Sequence, residues 1–471
     1  MIRPHPRWDR LSFASMRRLQ ARRLRRFLRR QVFPFSSYYR RLWRHHGLDP
    51  SSVRTVSDLS RFPLTEKKDL ADQARDFILQ PTPVASQTAV PRAALVPLLL
   101  RRIRSGRAGL QRALVAQYAP TSAFFTTGRT AGPTPVFLTP YDERLLRVAG
   151  GRIVDVLDLV PPLDRGLSLF PFAPHLAFWQ VVACGRARAL LTLHSGGGRA
   201  MGTEAILRLM KRMKPTFLVG IPGFTAHVLR HARREGVDLS RIRLVAAGGD
   251  ALTPALEERL ARRLPREARV LSVYGFTESR VCWTECAPGT GFHTYPDLGL
   301  FEVIDPDTGE TLPAETTGEL VYTSLDGRGS ALVRYRTGDI ARGGITYAPC
   351  PECGRTLPRI SRALTRRADG LVKIKGTLVD LTVLADAVAG DPNVQEWQAE
   401  ITEQGGLEIY VAMLDGAPDG LARRISVATE VRPDRIHVEP LERLVERLGL
   451  ETRMKEARIV DRRAAPAEAK R

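Results

Sequence analysis

Between Phe124 and Leu138 the chain reads FFTTGRTAGPTPVFL, with hydroxyls and glycines between two apolar, strand-like runs and one arginine in the middle. Small residues let backbone N–H groups come close to an anion, which is how loops cradle phosphate. The pattern is not the G-x-x-x-x-G-K-[ST] of a P-loop. The candidate phosphate contacts are therefore Thr126, Thr127, Gly128, Arg129 and Thr130. A second constellation is Cys286, His293, Cys350 and Cys353, a Cys₃His set with the ligand count of structural zinc. Cys350 and Cys353 form the tight C-x-x-C half, and His293 follows Cys286 by seven residues. The set leaves no obvious open position, so it reads as a staple of the surrounding segment and not as a catalytic metal. Cys184 and Cys282 stand apart, and Cys282 reads as core.

These residues need elements to hold them. A length of 471 residues suggests two or three domains, and 43% hydrophobic with 26% charged residues is enough for a sizeable core. Residues 1 to about 80 read as helical, with Thr65 placed to cap a charged helix. A loop and then a basic helix fill 81–120. From about 140 to 275, helical patterns alternate with short apolar strands, which argues an α/β sheet with helices on its faces. Ligands in such sheets bind beyond the carboxyl ends of strands. VAAGGD, with Gly248, Gly249 and Asp250, ends there, as does VLSVYGFTE. Residues 299–345 are β-rich, and after RRADGLVKIKG a small α+β unit begins, with strands over EWQAEIT, LEIYVAML and RIHVEP. There is no internal repeat.

The charge is extreme: 72 Lys and Arg against 50 Asp and Glu, a net +22. Part of it lies in RRLQARRLRRFLRR, where Leu24, Phe27, Leu28 and Val32 accompany a dense arginine face. A basic amphipathic helix of this kind suits peripheral contact with an anionic membrane or a solvated surface. No interleaved aromatics or nucleic-acid motif accompany it, so a specific nucleic-acid partner is not expected. Five cysteines do not read as a disulfide framework, the N-terminus lacks the apolar core of a signal peptide, and no apolar run is long enough to span a bilayer. The expected location is cytoplasmic.

Four signals in order, TTGRTAGPT, YGFTE, YRTGD and RRADGLVKIKG, resemble those of the adenylate-forming (acyl-CoA synthetase, AMP-binding) superfamily. SSYYRRLWRHHGLDP, LSRFPLTEKKDL and APCPECGRTLPRI are similar to its phenylacetate–coenzyme A ligase branch. The resemblance implies a large N-terminal adenylate-forming domain over 1–366 with α/β sheets and a β-rich segment. A small α+β lid over 367–471 completes it. Members join a carboxylate to AMP and pass the acyl group to a thiol, which implies ATP, Mg²⁺, coenzyme A and a small-molecule carboxylic acid. It makes Tyr274, in the Tyr274–Gly275 turn, a stacking surface for adenine, Thr277 a phosphate contact and Glu278 a ligand of Mg²⁺. Asp339, an acceptor-only carboxylate at a strand end, suits the two ribose hydroxyls. Gly248, Gly249 and Asp250 border the adenine and acyl pockets, and FPFAPHLAF contributes to the acyl side. Arg367 contacts the nucleotide at a hinge whose pivot is Asp369, with Gly370 where a second acid is usual. Lys455, in RMKEARIVDRR, takes the place of the catalytic lysine, with Met454 where glycine is usual. The phosphate loop of related ligases reads close to SSGTTGKPT, so Gly132 stands at the lysine and Arg129 at a threonine. The expected consequence is that the charge has moved within the loop to Arg129, whose planar fork can grip two phosphate oxygens.

Aryl, arylacetic and fatty acids all fit this reading as substrates, and the thiol is coenzyme A or the phosphopantetheine of an acyl-carrier protein. Adenylylation of a cofactor hydroxyl, or a degenerate anion-binding protein without catalysis, are the other readings that the altered loop and lysine segment leave open.

Overall fold

The structure, a computed structural model, describes residues 4–81, 92–126, 133–172, 175–366, 371–453 and 456–463. The fold is α/β, and the chain divides into two compact units. One comprises 1–161, 174–190 and 273–364, and the other 162–173, 191–272 and 365–471.

The first unit opens on helices. Ser12 caps Phe13–Phe27 by accepting a hydrogen bond from the Ser15 N–H, and Met16, Leu19, Leu24 and Phe27 of that helix are buried. Leu28 and Val32 continue the stripe inward. The stripe therefore has no free apolar face: its residues lie in the protein's own core, leaving an arginine face to solvent. Thr65 is not a helix cap. Glu66 and Asp69 form the reciprocal capping box of Lys67–Asp72, while the Thr65 hydroxyl donates to the Val333 carbonyl at 2.7 Å. Helix Pro140–Leu157 starts with proline at its first turn and a Thr139–Asp142 capping box. Gly150 brings it against Leu176–Arg188, since a Cβ there would sit 2.8 Å from the Cys184 nitrogen. Strands Gly299–Ile304, Gly318–Ser324 and Tyr335–Ala341 pair antiparallel, with a register shift between Glu319 and Val321.

The second unit carries the parallel sheet. Leu191–Gly196, Arg165–Pro171, Phe217–Gly220 and Leu244–Gly248 pair in that order, followed by Arg269–Gly275. Leu244–Gly248 is buried along its whole length, as a strand covered on both faces must be. Residues 371–463 of this unit form the expected α+β lobe. Its sheet runs Arg435–Val438, Leu407–Met413, Val394–Ile401, Ile459–Asp461, with helices Leu381–Ala389, Leu421–Thr429 and Leu441–Leu448. Leu444, Leu448 and Leu450 share one core with Leu167, Ile206, Phe224 and Val228.

A buried ion cluster reinforces that core. Glu396 accepts from Arg230 at 2.7 Å and from Arg458 at 2.6 Å, and Arg458 Nε donates to Glu456 at 2.8 Å. Burial alone would raise the Glu396 carboxyl, but Arg458, Arg230 and Arg259 outweigh it and hold it at about 2. His227 sits alongside. Burial first, then the charges of Arg230 and His231, bring its ring down to about 4. The neutral ring is fully used: Nδ1 accepts from Arg230 at 3.0 Å, and Nε2 donates at 3.0 Å to Thr203, whose hydroxyl donates to Glu451.

Candidate active site

The motifs YGFTE and YRTGD meet in the first unit through a reciprocal exchange. Arg269–Gly275 ends at Tyr274 and Gly275, and a short turn Thr277–Ser279 carries Glu278. Gly275 is required by the strand that follows, because a Cβ would lie 2.7 Å from the Cys282 Cβ. Tyr274, the first residue of its motif, donates from its phenol to Oδ2 of Asp339, the last residue of the other, at 2.7 Å. Tyr335, first of YRTGD, donates to Oε1 of Glu278, last of YGFTE, also at 2.7 Å. Burial, and then the charge of Glu278, push the Tyr335 phenol far above its ordinary value, so it stays a donor. The Tyr274 ring lies among Phe276, Trp283 and Phe292, with centroids 5.5–5.9 Å away. Asp339 is aimed by its own strand: Gly338 takes φ +76, and the Asp339 N–H donates to the Thr337 hydroxyl at 3.0 Å. Two carboxylates and an aromatic platform are thus fixed by partners before any ligand arrives, the preorganisation that charge-stabilising sites require.

Thr126 closes the base of the hydroxyl–glycine loop. Ser122–Phe125 pairs antiparallel with Pro135–Leu138, Thr126 N–H donates to the Thr134 carbonyl at 3.1 Å, and Thr134 N–H donates to Thr126 Oγ1 at 3.2 Å. Thr127, Gly128, Arg129, Thr130 and Gly132 lie outside the described residues, as do Arg367, Asp369, Gly370, Met454 and Lys455. In the second unit, Gly248 ends its buried strand. Gly249 takes φ +83, and exposed Asp250 caps the turn by accepting from the Ala251 N–H at 2.9 Å.

The four metal-ligand candidates come together. Cys286 Sγ and Cys350 Sγ are 3.6 Å apart, Cys353 Sγ and His293 Nε2 are 3.8 Å apart, and all four ligand atoms lie within 4.8 Å of one another. A tetrahedral zinc with Zn–S near 2.3 Å holds its ligand atoms roughly 3.7 Å apart, so the set fits such an ion. A tight turn supplies two of them, with Gly354 at φ +65 and its N–H on the Cys350 carbonyl. Burial would raise the Cys353 thiol, but His293 and Arg355 outweigh it and bring it down to about 5, toward the thiolate that a metal needs. Trp8 and Val156 pack against the cluster. Cys282 is buried away from it, as expected.

Comparison with known proteins decides the family. The family model described as AMP-binding enzyme matches residues 69–326. The chain belongs to the AMP-binding enzyme family. Within that family, it is similar to the phenylacetate–coenzyme A ligase of Thermus thermophilus, 27% identical over 86% of this chain and 82% of the relative. The corresponding Escherichia coli ligase is 26% identical over 84% and 82%. Among solved structures, the 2-hydroxyisobutyryl-CoA ligase in its postadenylation state superposes with a TM-score of 0.77, covering 97% of this chain and 92% of the other at 19% identity. That likeness shows the fold.

In this AMP-binding enzyme, sequence reasoning missed the residue that ties the Glu278 turn down. Arg280, at φ +66, pairs with Asp142 at 2.6 Å and donates to the Ser324 hydroxyl at 3.1 Å. Asp142 also accepts from the backbone N–H groups of Arg328 and Gly329 at 3.0 and 2.7 Å. The T-x-x-D spacing of Thr139 and Asp142 was the available signal. His175, inside FPFAPHLAF, donates from Nδ1 to the Phe125 carbonyl at 3.2 Å, at the end of strand Ser122–Phe125.

Proposed function

We propose that this AMP-binding enzyme is an AMP-forming acid–coenzyme A ligase of the phenylacetate–CoA ligase type. It converts a carboxylic acid and ATP to acyl-AMP and pyrophosphate, and then passes the acyl group to the thiol of coenzyme A. The reciprocal pairing of Tyr274 with Asp339 and Tyr335 with Glu278 carries the reading. It sets an acceptor for a ribose diol and a hard oxygen donor beside an aromatic face. Curated relatives spanning most of the chain are ligases of this reaction class.

In the adenylation step the substrate carboxylate oxygen attacks the α-phosphorus and the bond to pyrophosphate breaks. Both reactants are anions, so the chain's task is to position them and to offer positive charge where negative charge develops. Tyr274 stacks on adenine, Asp339 accepts from the ribose hydroxyls, and Thr126, Thr127, Gly128 and Thr130 bind phosphate oxygens. Arg129 holds the departing pyrophosphate, and Lys455 and Thr277 contact the α-phosphate oxygens. Glu278 is the ligand for Mg²⁺, which neutralises phosphate charge when bound. Gly248, Gly249, Asp250 and Arg367 border the nucleotide, and the chain divides at 366/367 into a large domain and a lid. The Cys286, His293, Cys350 and Cys353 cluster is a structural zinc site. Coenzyme A is the favoured thiol, since the relatives are coenzyme A ligases.

Pyrophosphate exchange across a panel of aryl, arylacetic and fatty acids tests this, followed by thioester formation with coenzyme A and with carrier-bound phosphopantetheine. Exchange with one acid class and transfer to coenzyme A is expected. A stable adenylate that no thiol consumes would instead support adenylylation of a hydroxyl.

A further inference from the structure

Helix Arg92–Tyr118 pairs a basic composition with an apolar stripe that is left exposed. It holds six arginines and no acidic residue, and a break at Gly106, with φ +68, divides it. Ahead of that break, Val96, Leu99, Leu100 and Ile103 follow the i, i+3, i+4, i+7 spacing of one helical face. They are not buried: their exposures are 51, 58, 48 and 74%. Arg101, Arg102 and Arg104 are exposed beside them, as is Arg107 beyond the break, and none of the four pairs with an acid among the described residues. At 100° per residue, Arg102 and Arg104 fall on the two flanks of the apolar face.

We propose that this segment is a peripheral membrane anchor that lies in the headgroup layer of an anionic bilayer. Leu99, Leu100 and Ile103 enter the acyl boundary and the flanking arginines meet lipid phosphates. The argument is complementarity of both kinds at once. A lipid surface offers hydrocarbon to the stripe and negative charge to its flanks. A second copy of this chain would offer the stripe a partner but bring six more arginines against the first six. Nucleic acid would satisfy the arginines and leave the stripe in water. No helix of the described residues is long and apolar enough to cross a membrane, so the contact is one of lying on the surface. The N-terminal helix lacks this combination because its stripe is buried. The inference stands independently of the ligase reading.

The test is co-sedimentation of the full-length protein with vesicles of phosphatidylcholine, alone or mixed with phosphatidylglycerol, at about 0.1 M salt where surface charge still acts over ~10 Å. The parent should pellet with the mixed vesicles and stay in solution with the neutral ones. Arg102→Glu and Arg104→Glu should each weaken binding by about fivefold or more, as expected for a cation near a charged surface. The double variant Leu99→Asp, Ile103→Asp should abolish it while leaving the thermal melt unchanged, since both side chains are exposed. Failure of the parent to pellet overturns the proposal. Binding that survives the double aspartate variant overturns it too, by assigning the contact to the general positive charge. Dimerisation, or retention of duplex DNA, that is lost in that variant would give the surface to a second copy or to nucleic acid instead.

Discussion

The phenol of Tyr335 donates to Oε1 of Glu278 across 57 residues of sequence at 2.7 Å. The bond fixes one carboxylate oxygen and so the direction of the other. Tyr335→Phe removes a hydrogen bond to a charged acceptor, typically about 1.5–3 kcal/mol. Pyrophosphate exchange should fall by roughly 10–100-fold and the Mg²⁺ concentration for half-maximal rate should rise. An unchanged Mg²⁺ dependence in a folded variant would remove Glu278 from the metal's ligands.

Asp339 gives the complementary experiment. Asp339→Asn keeps the shape and replaces one acceptor oxygen with a donor, so one ribose hydroxyl loses its partner. KM for ATP should rise by at least about tenfold with little change in the carboxylic acid KM. Tyr274→Phe, which removes one donor from Oδ2, should show a smaller effect in the same direction.

The phosphate loop poses a question of charge placement. Arg129→Ala should lower pyrophosphate exchange by about 10–100-fold, the equivalent of one lost charge-assisted bond. The double change Arg129→Thr, Gly132→Lys should restore most of it. Parent-like exchange in Arg129→Ala would show that this arginine is not a phosphate ligand.

How much of this was legible in the chain depends on distance along it. Tyr274, Glu278, Tyr335 and Asp339 are visible because each motif is a local strand–turn signature. Their cross-pairing is not, since it depends on which strand ends meet. Cys286 and Cys350 lie 64 residues apart, yet ligand count and the C-x-x-C spacing were enough to group them. The stripe of Leu24, Phe27 and Leu28 shows the opposite case. Periodicity reveals an amphipathic helix but not whether its apolar face meets solvent or core. Glu396, Arg230 and Arg458 were not singled out in the chain, because burial of an ion cluster comes from tertiary packing and leaves no local pattern.

The cysteine–histidine cluster predicts a metal in a fixed ratio. One zinc per chain should co-purify, measured by elemental analysis. Cys350→Ser should lower the melting temperature strongly, since structural zinc contributes several kcal/mol or more to folding. Its effect on the rate constants of the remaining folded fraction should be small. Fully folded, metal-free protein of parental stability would overturn the site.

Acid should weaken the second unit in two stages. His227 is held at about 4 against an ordinary 6.5, and Glu396 at about 2 against 4.5, so in each window the unfolded chain binds more protons. Stability is therefore full above pH 6.5 and falls as His227 is driven toward protonation down to about 4, against Arg230 and His231 and despite Glu396 and Glu451. The Glu396 share is lost between 4.5 and about 2. Each window corresponds to about 3 kcal/mol. In denaturant melts at stepped pH, His227→Gln should flatten the upper stage. Glu396→Ala should cost roughly 3–5 kcal/mol at neutral pH by leaving Arg230 and Arg458 buried without their carboxylate. A pH-independent melt between 4 and 6.5 would show that His227 is not buried neutral.

The core that Leu167, Ile206, Phe224 and Val228 share with Leu444, Leu448 and Leu450 also sets a schedule for biosynthesis. At about 5–20 residues per second, the ribosome takes on the order of 10–45 s to travel from the first group to the second. Throughout that interval the strand and helices that carry the first group have been made, and helix Leu441–Leu448 has not. A nascent chain in this state lacks the three leucines that complete this core. Cutting the gene near residue 366 would freeze the chain at this stage, with Leu444, Leu448 and Leu450 missing from the core they share with Leu167, Ile206, Phe224 and Val228.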